Sequence, residues 1–457
     1  MRDTLGLKAL TPIAEARQEV KSDGSRYRVL EVASILTPTQ CPECGGSVLH
    51  KHGVRQQEYI DAPHYGEPAA LLVHRKRWRC KNCNKLFPDP LPDIDEKRRA
   101  THRLIHYVRR RAMTYTFSEV GREVGMSDKS IRAIFDDYTS ELERKYEFVT
   151  PRYLGIDEVK IIGQYRCILT NVDKLTMYDL LPSRKLADLR KYFANFPNPK
   201  EVEYVTADLW RPYEQVYQEF FPHAKMVADR FHVQRMATNA IEAVRKKVRK
   251  SLSTKDRLKM KDDRFILLKN AKNLNPYQVE RLAEMLREFP ELELAWETKE
   301  RFVDCWEHTN KYDAEIAFTE WAMTVPEPMQ DYFKEALNAW NNRKEHILNY
   351  FDNRVTNAYT ESINRLAKSI NRMGRGYSLE VVRARMLYDE RALEKGSMIQ
   401  RSRVEGDGDE TGQFISRVSK VTSLSSRTKK LKTITTTKYY GAHIPTLCDE
   451  LEAGDFD

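Results

Sequence analysis

Tyr153-Leu154-Gly155-Ile156-Asp157-Glu158-Val159-Lys160-Ile161 is the stretch from which the rest of the chain can be read. Its aromatic and β-branched residues mark a strand, and Gly163 supplies the turn that follows. Residues 165–172 read as a second strand and 177–181 as a third. A helix over 185–193 follows, then a short strand over 202–207 that ends on Asp208. A further helix over 212–221 leads to a strand over 225–228 that ends on Asp229, and a long basic helix begins near Phe231.

Three meandering strands followed by alternating helices and strands are the order of an RNase H-like fold. In that fold the first strand carries one metal-binding carboxylate and the fourth ends near a second, the places held by Asp157 and Asp208. Among 67 acidic residues two aspartates alone are a weak pointer, so a third group matters. Residues 356–372 are amphipathic. Ile363, Leu366, Ala367 and Ile370 form an apolar stripe, and Asn357, Glu361, Asn364, Arg365, Lys368 and Arg372 recur at spacings of three and four on the other side. A carboxylate among amides and cations is what a surface for metal and phosphate needs. Glu158 is set aside, because neighbours on a strand face opposite ways.

Upstream stand two cysteine pairs, Cys41-Pro42-Glu43-Cys44 and Cys80-Lys81-Asn82-Cys83. Each two-residue gap lets both sulfurs turn onto one metal, and four thiolates make a closed tetrahedral set for a structural Zn²⁺. Cys167, Cys305 and Cys448 are scattered and read as inert thiols. In the run 71–79, alternation places Arg75, Arg77 and Arg79 on one face of a β-ribbon, expected to meet phosphates. After the proline-rich break at 88–92 the pattern turns helical, with Arg98, Arg99, Arg103, Arg109, Arg110 and Arg111 crowded together. Phe117, Val120 and Val124 share a helical face. Gly125 permits a tight turn, and Ser127 or Asp128 caps a second helix that turns Ile131, Ile134 and Phe135 inward. This is the layout of a helix-turn-helix, with Lys129, Ser130 and Arg132 as the residues that would read the major groove.

A formal net charge of +10 favours a polyanionic partner, and 457 residues suffice for several domains. No apolar run approaches the ~18 residues of a membrane span. The N-terminal stretch lacks the apolar core of a signal peptide, so the expectation is a cytoplasmic protein with no membrane partner.

Taken in order, these features resemble the ISL3 family of bacterial insertion-sequence transposases over roughly residues 25–392. The resemblance rests on the cysteine knuckles, Gly155-Ile156-Asp157-Glu158, Ala207-Asp208 with Tyr213, and Ala228-Asp229-Arg230-Phe231-His232-Val233. Thr356-Asn357 through Glu361 to Asn364, with Gly376-Tyr377, completes it. It implies that Asp157, Asp208 and Glu361 are a DDE triad holding two Mg²⁺ (or Mn²⁺) ions. Asp229 is left open as an accessory ligand or an orienting group, with Arg230 and His232 near the scissile phosphate. Arg365, Lys368 and Arg372 join the DNA contacts. The implied activity is DNA transposition: metal-dependent cleavage and strand transfer at the element's terminal inverted repeats, into target DNA. Joining two ends calls for a homodimer or larger synaptic assembly, bound to the bacterial nucleoid in the cytoplasm.

The expected fold is α+β and multidomain. Residues 1–92 form the zinc β-ribbon, 93–148 the helix-turn-helix, and 149–250 the first part of an RNase H-like catalytic domain. A helical insertion over 251–345 has Trp296, Trp306, Trp321 and Trp340 to pack a separate small core. Residues 346–395 complete the catalytic domain with the Glu361 helix. The tail, 396–457, is polar, with a linker over 405–410 and a segment at 439–451 that could pack back or pair with a partner.

Overall fold

In the computed structural model, which describes residues 7–20, 24, 26–253, 257, 263–388 and the backbone of 398–400, the alternation around 71–79 becomes one long antiparallel hairpin. Its arms are β1 (Leu49–His64) and β2 (Glu67–Cys80). Tyr65 and Gly66 join them with φ of 52° and 80°, the double left-handed turn that follows the twist of paired strands. The hairpin is the centre of an eight-stranded sheet whose core is built on Leu71, Val73, Tyr59, Val32 and Ile94. Arg75 continues the parity of Leu71 and Val73, so it points to the buried side and is 4% exposed. Its Nε donates to the Asp89 carbonyl at 2.7 Å, and its Nη2 pairs with Glu96 at 2.8 Å. The expected arginine row therefore loses its first member to the core, while Arg79, beyond the core's edge, is exposed.

Three helices follow: α1 (His102–Thr114), α2 (Phe117–Val124) and α3 (Asp128–Lys145). Thr116 and Glu119 form a reciprocal capping box at the start of α2. Gly125 closes that helix at φ 72°, and the Ser127 hydroxyl accepts from the Ser130 N–H at 3.2 Å to start α3. The sequence expectation of a helix-turn-helix holds to its caps. The neighbouring arginines are mostly spent on internal acids. Arg98 pairs with Asp95 and Asp137, Arg109 with Glu141, and Arg111 with Glu123, while Arg99 donates to the Glu58 carbonyl. The acids on α3 that absorb this charge are distant in sequence, which is why the cluster reads as free when read linearly.

The second sheet has the order β5-β4-β3-β6-β7, from β3 (Tyr153–Ile161), β4 (Gln164–Asn171), β5 (Thr176–Leu181), β6 (Tyr204–Ala207) and β7 (Lys225–Ala228). The first three strands are antiparallel; β6 and β7 add parallel to β3, giving the RNase H-like order. One face is covered by α4 (Leu186–Phe193) and α5 (Arg211–Phe220), which bring Leu189, Phe193, Tyr213 and Val216 onto Leu154, Ile156 and Val205. The other face is covered by α7 (Ala358–Gly374) and α8 (Leu379–Leu387). Between them in sequence, α6 (Arg230–Lys250) leads into seven further α-helical segments from Arg264 to Asn353 among the described residues.

The tryptophans of this insertion do not build a core of their own. Trp306, Trp321 and Trp340 are buried in a cluster that also contains Val227, Ala228, Val233 and Ala237, with Trp296 packed on its rim. Helix α6 spans 21 residues, and its apolar face carries the core beside β7 without interruption into the insertion. The opposite core is also shared: Ile363, Val381 and Met177 belong to one cluster with Leu104, Val120 and Ile131 of the helix-turn-helix. The readings for 405–410, 439–451 and Cys448 lie outside the described residues.

Asp61 joins ribbon and helices. Fully buried on β1, it accepts from Thr101 Oγ1 and Arg103 Nε, each at 2.7 Å, and pairs with His64 at 3.4 Å. Burial pushes its carboxyl up, but the hydrogen bonds from Arg103, His64 and Thr101 outweigh this and hold it well below the usual range. A carboxylate with a depressed folded-state pKa stabilises fully above its unfolded pKa and loses that effect as pH falls through the folded value. Asp61→Asn should therefore lower the thermal midpoint at pH 7, by about 1–3 kcal/mol of stability. The difference from the unsubstituted protein should shrink below pH ~4; an equal difference at pH 7 and pH 3 would contradict this assignment.

Candidate active site and metal centres

The four predicted sulfurs come together at the end of the hairpin. Cys41 Sγ lies 3.6 Å from Cys83 Sγ and Cys44 Sγ 3.6 Å from Cys80 Sγ, with all four within 4.8 Å of one another. These are too long for disulfides (~2.05 Å). They match the edges of a tetrahedron with Zn–S bonds of about 2.3 Å. The two knuckles are built alike. Gly45 N–H donates to Cys41 O and Asn84 N–H to Cys80 O, with left-handed φ of 71° at Gly45 and 62° at Asn84. The residue after each second cysteine must take that conformation, which glycine and asparagine accept. The sites fit zinc and leave no position for a substrate.

The carboxylates meet elsewhere, in an open pocket of about 400 Å³. Asp157 enters from β3. Asp208 follows the last residue of β6 and Asp229 the last residue of β7, in register through Ala207↔Ala228. Asp229 caps α6, accepting from the Phe231 N–H at 3.0 Å. One turn into α6, His232 Nδ1 sits 2.5 Å from Asp208 Oδ1 and 2.7 Å from Asp229 Oδ2. Burial works against the imidazolium, but the bonds to Asp208 and Asp229 prevail and raise its pKa to about 10. Asp157 is pushed up to about 7, first by burial and then by the charge of Asp208.

Glu361 arrives on α7, and the way α7 reaches the sheet is specific. Thr360 Oγ1 lies 2.7 Å from Thr170 Oγ1, directly over Gly155. A Cβ on Gly155 would stand 2.3 Å from Thr170 Oγ1 and 2.4 Å from Thr360 Oγ1. Asn364 Nδ2 donates to Asp157 Oδ2 at 2.7 Å. Asn357 was expected on the solvated side of this helix, yet it is wholly buried, accepting from Thr206 Oγ1 at 3.1 Å and donating to the Ile156 carbonyl at 3.3 Å. It is the N-cap residue, outside the helical periodicity that the sequence pattern assumes.

Glu361 lines the same pocket as Asp157 and Asp208. Burial first, then the charge of Asp229, raises its pKa. Its Oε1 and the Oδ1 of Asn364 are buried without hydrogen-bond partners. Crowded carboxylates with raised pKa values and orphaned oxygens lack positive charge, and hard oxygen donors suit a divalent cation such as Mg²⁺ or Mn²⁺. The residues present thus fit a metal.

Of the remaining predicted residues, Arg365, Lys368 and His232 line the pocket; Arg372 is exposed farther along α7. Arg230 turns away, pairing with Glu307 at 3.2 Å and donating to Tyr350 Oη at 3.1 Å. Lys129 and Arg132 are exposed at the start of α3, where Arg132 reaches Ser378 Oγ at 3.3 Å. Sequence reasoning passed over Glu158, whose carboxylate stands within 4.8 Å of Asp157 and Asp208. Strand alternation argues against that meeting, but β6 pairs with β3 only as far as Gly155↔Thr206, leaving the edge of β3 open for the longer side chain to reach round. Glu158 pairs with Arg184 at 2.7 Å. Lys160, Tyr165, Phe231 and Arg235 complete the lining.

Comparison with known proteins agrees with this layout. A family model described as transposase matches residues 154–386. A second, described as zinc-finger of transposase IS204/IS1001/IS1096/IS1165, matches residues 37–83. The model for the helix-turn-helix domain of transposase family ISL3 matches residues 90–139. The chain is 24% identical over 372 residues to the transposase for insertion sequence element IS1001 of Bordetella parapertussis, covering 79% of this chain and 91% of that protein. Among the described residues no helix is long and apolar enough to cross a membrane.

Two outcomes are expected. Elemental analysis should find about one zinc per chain, as a closed four-thiolate set requires, and Cys80→Ser should abolish it and lower the thermal midpoint; a protein free of zinc with the same midpoint would exclude the centre. Gly155→Ala should cost about 1–3 kcal/mol by overpacking, and adding Thr360→Ala should recover part of it. No recovery would mean that the contact over Gly155 is not the obstacle.

Proposed function

Since the chain belongs to the ISL3 family of transposases, we propose that it binds the terminal inverted repeats of a bacterial insertion sequence and cleaves and joins DNA at Asp157, Asp208 and Glu361. The observation that carries this reading is the convergence of those three carboxylates, from β3, the end of β6 and α7, on one pocket rimmed by Lys160, Arg235, Arg365 and Lys368. When bound, two Mg²⁺ or Mn²⁺ ions would activate a water or a DNA 3′-hydroxyl and stabilise the leaving oxygen.

The chain's own residues do the rest. Asn364 fixes the orientation of Asp157 through its 2.7 Å bond. His232, charged between Asp208 and Asp229, balances two carboxylates that would otherwise repel each other. Asp229 acts through His232 and through the cap of α6, an orienting role in this reading. Arg235, Arg365, Lys368 and Lys160 hold the phosphate backbone on either side of the reacting bond. Arg77 and Arg79 on the ribbon and Lys129, Ser130 and Arg132 on α3 supply the contacts away from the pocket. Arg75 is buried, and Arg98 and Arg230 are held in ion pairs within the chain, so these three leave the list. The zinc ribbon, helix-turn-helix, interrupted catalytic fold and insertion act as one unit along the DNA, two or more copies of which bring the element's ends together in the cytoplasm.

A labelled fragment bearing the element's own ends, incubated with Mg²⁺ and a target plasmid, tests the reading. The unsubstituted protein should give cleaved and joined products, and Asp208→Asn should bind the ends but yield neither. Tight binding without cleavage by the unsubstituted protein would point to a DNA-binding regulator, and cleavage without joining to a nuclease. Equal activity in Asp208→Asn would remove that residue from the site.

A further inference from the structure

Phe231 is 54% exposed at the mouth of the carboxylate pocket. Leaving a ring of that size in water forgoes the free energy that burying it would release. The same helix buries Val233, Ala237 and Ala240, so a core was within reach. The backbone does not leave the ring free to choose. Its N–H is tied to Asp229 Oδ1, and its neighbours turn opposite ways, Arg230 into the insertion and His232 into the pocket. The ring stands T-shaped to the His232 imidazole, with centroids 5.8 Å apart. A second exposed aromatic, Tyr165 at 46%, lines the same pocket. Each ring has a guanidinium near its face, Arg235 at 5.8 Å from Phe231 and Arg184 at 4.1 Å from Tyr165.

Aromatic rings interleaved with cations are the chemistry that takes up an unpaired nucleotide, with the backbone on the charges and the base on a ring. A base inside an intact duplex offers only its edges; its face becomes available once it is taken out of the stack. We propose that Phe231 stacks on the base beside the reacting phosphate, so that the pocket takes a locally unpaired DNA end rather than an intact duplex. The proposal rests on reading the carboxylate pocket as the place of phosphodiester chemistry. It adds a nucleobase-binding surface to that reading and assigns it to a residue that holds neither metal nor phosphate. The alternative occupant of an exposed ring, a second copy of the chain, has no need of the cations that surround this one.

The test uses the full chain and end DNA carrying 2-aminopurine at single positions next to the cut. Without divalent metal, the unsubstituted protein should raise the fluorescence at one position, and Phe231→Ala should bind the same DNA without that rise. With Mg²⁺, Phe231→Ala should cut paired ends roughly tenfold or more slowly, the effect of losing one base–aromatic stack. On ends with a mismatch or an abasic site at that position the defect should largely vanish. Phe231→Trp should keep activity, whereas Phe231→Leu, apolar without a π-face, should behave as Phe231→Ala. Equal losses on paired and mismatched ends, or no loss on either, would overturn the proposal. If the unsubstituted protein cuts neither DNA, the reading of the pocket fails, and the fluorescence comparison still decides the role of the ring.

Discussion

The approach of α7 to β3 over Gly155 is the contact that the carboxylate pocket depends on. A helix crossing a sheet normally stands off by the thickness of its side chains. Here a glycine on the strand and threonines on both sides shorten that gap, and the two hydroxyls satisfy each other at 2.7 Å. Asn357 fixes the start of the helix to both β3 and β6, and Asn364 fixes its next turns to Asp157. The helix is thereby held at three successive levels by polar bonds, in a cluster whose apolar part is supplied by Ile363 and Ala367. Polar contacts carry direction that apolar packing lacks, so the rotation of α7, and with it the heading of Glu361, is set by them.

That closeness has an electrostatic consequence. Asp157, Glu158, Asp208, Asp229 and Glu361 are gathered from four segments, and burial raises Asp157, Glu158 and Glu361. The protein offsets the crowd locally: Arg184 faces Glu158, and His232 bridges Asp208 and Asp229. Asp157 and Glu361 receive no cation of their own at bonding distance among the described residues, and the orphaned Glu361 oxygen marks where positive charge is missing. Direct pairing is therefore uneven: Glu158, Asp208 and Asp229 each touch a cation, whereas Asp157 and Glu361 face Arg365, Lys368 and His232 only across the pocket, leaving room for an ion between them.

Local signals are legible in the sequence. The strand over Tyr153–Ile161, the aspartates closing β6 and β7, the cysteine knuckles and the Gly125 turn all depend on residues within one element, and period, capping and left-handed turns are visible there. What escaped was set by partners distant in the chain. Arg75 looked available because the strand alternates, but which parity is buried depends on Val32 and Leu91, more than a dozen residues away on either side. Asn357 looked solvated because its place just outside the helix is a boundary, and boundaries are what periodicity reads least well. Glu158 was dismissed by alternation, which holds where both edges of a strand are paired and weakens where one is open. The insertion tryptophans were recognised as core, but that the core is continuous with β7 depends on the length of α6.

The shared core between the helix-turn-helix and the second sheet bears on how these two parts are joined. Arg385 on α8 is buried, and its Nη2 donates to the Ala112 and Tyr115 carbonyls at the end of α1, at 2.8 and 2.6 Å. Burial lowers its pKa, and the ring of Tyr377, 4.3 Å away, covers its face. Buried polar bonds of this kind hold a geometry more than they add stability. On the other side Arg132, at the start of α3, reaches Ser378 at the start of α8. The end of α1 and the start of α3, on either side of α2, are thus tied to the short segment that follows α7, the helix carrying Glu361. A flexible linker would let DNA recognition and the carboxylate pocket move independently. Bonds to the start and the body of one short helix instead hold the end of α1 and the start of α3 against the element that follows the Glu361 helix.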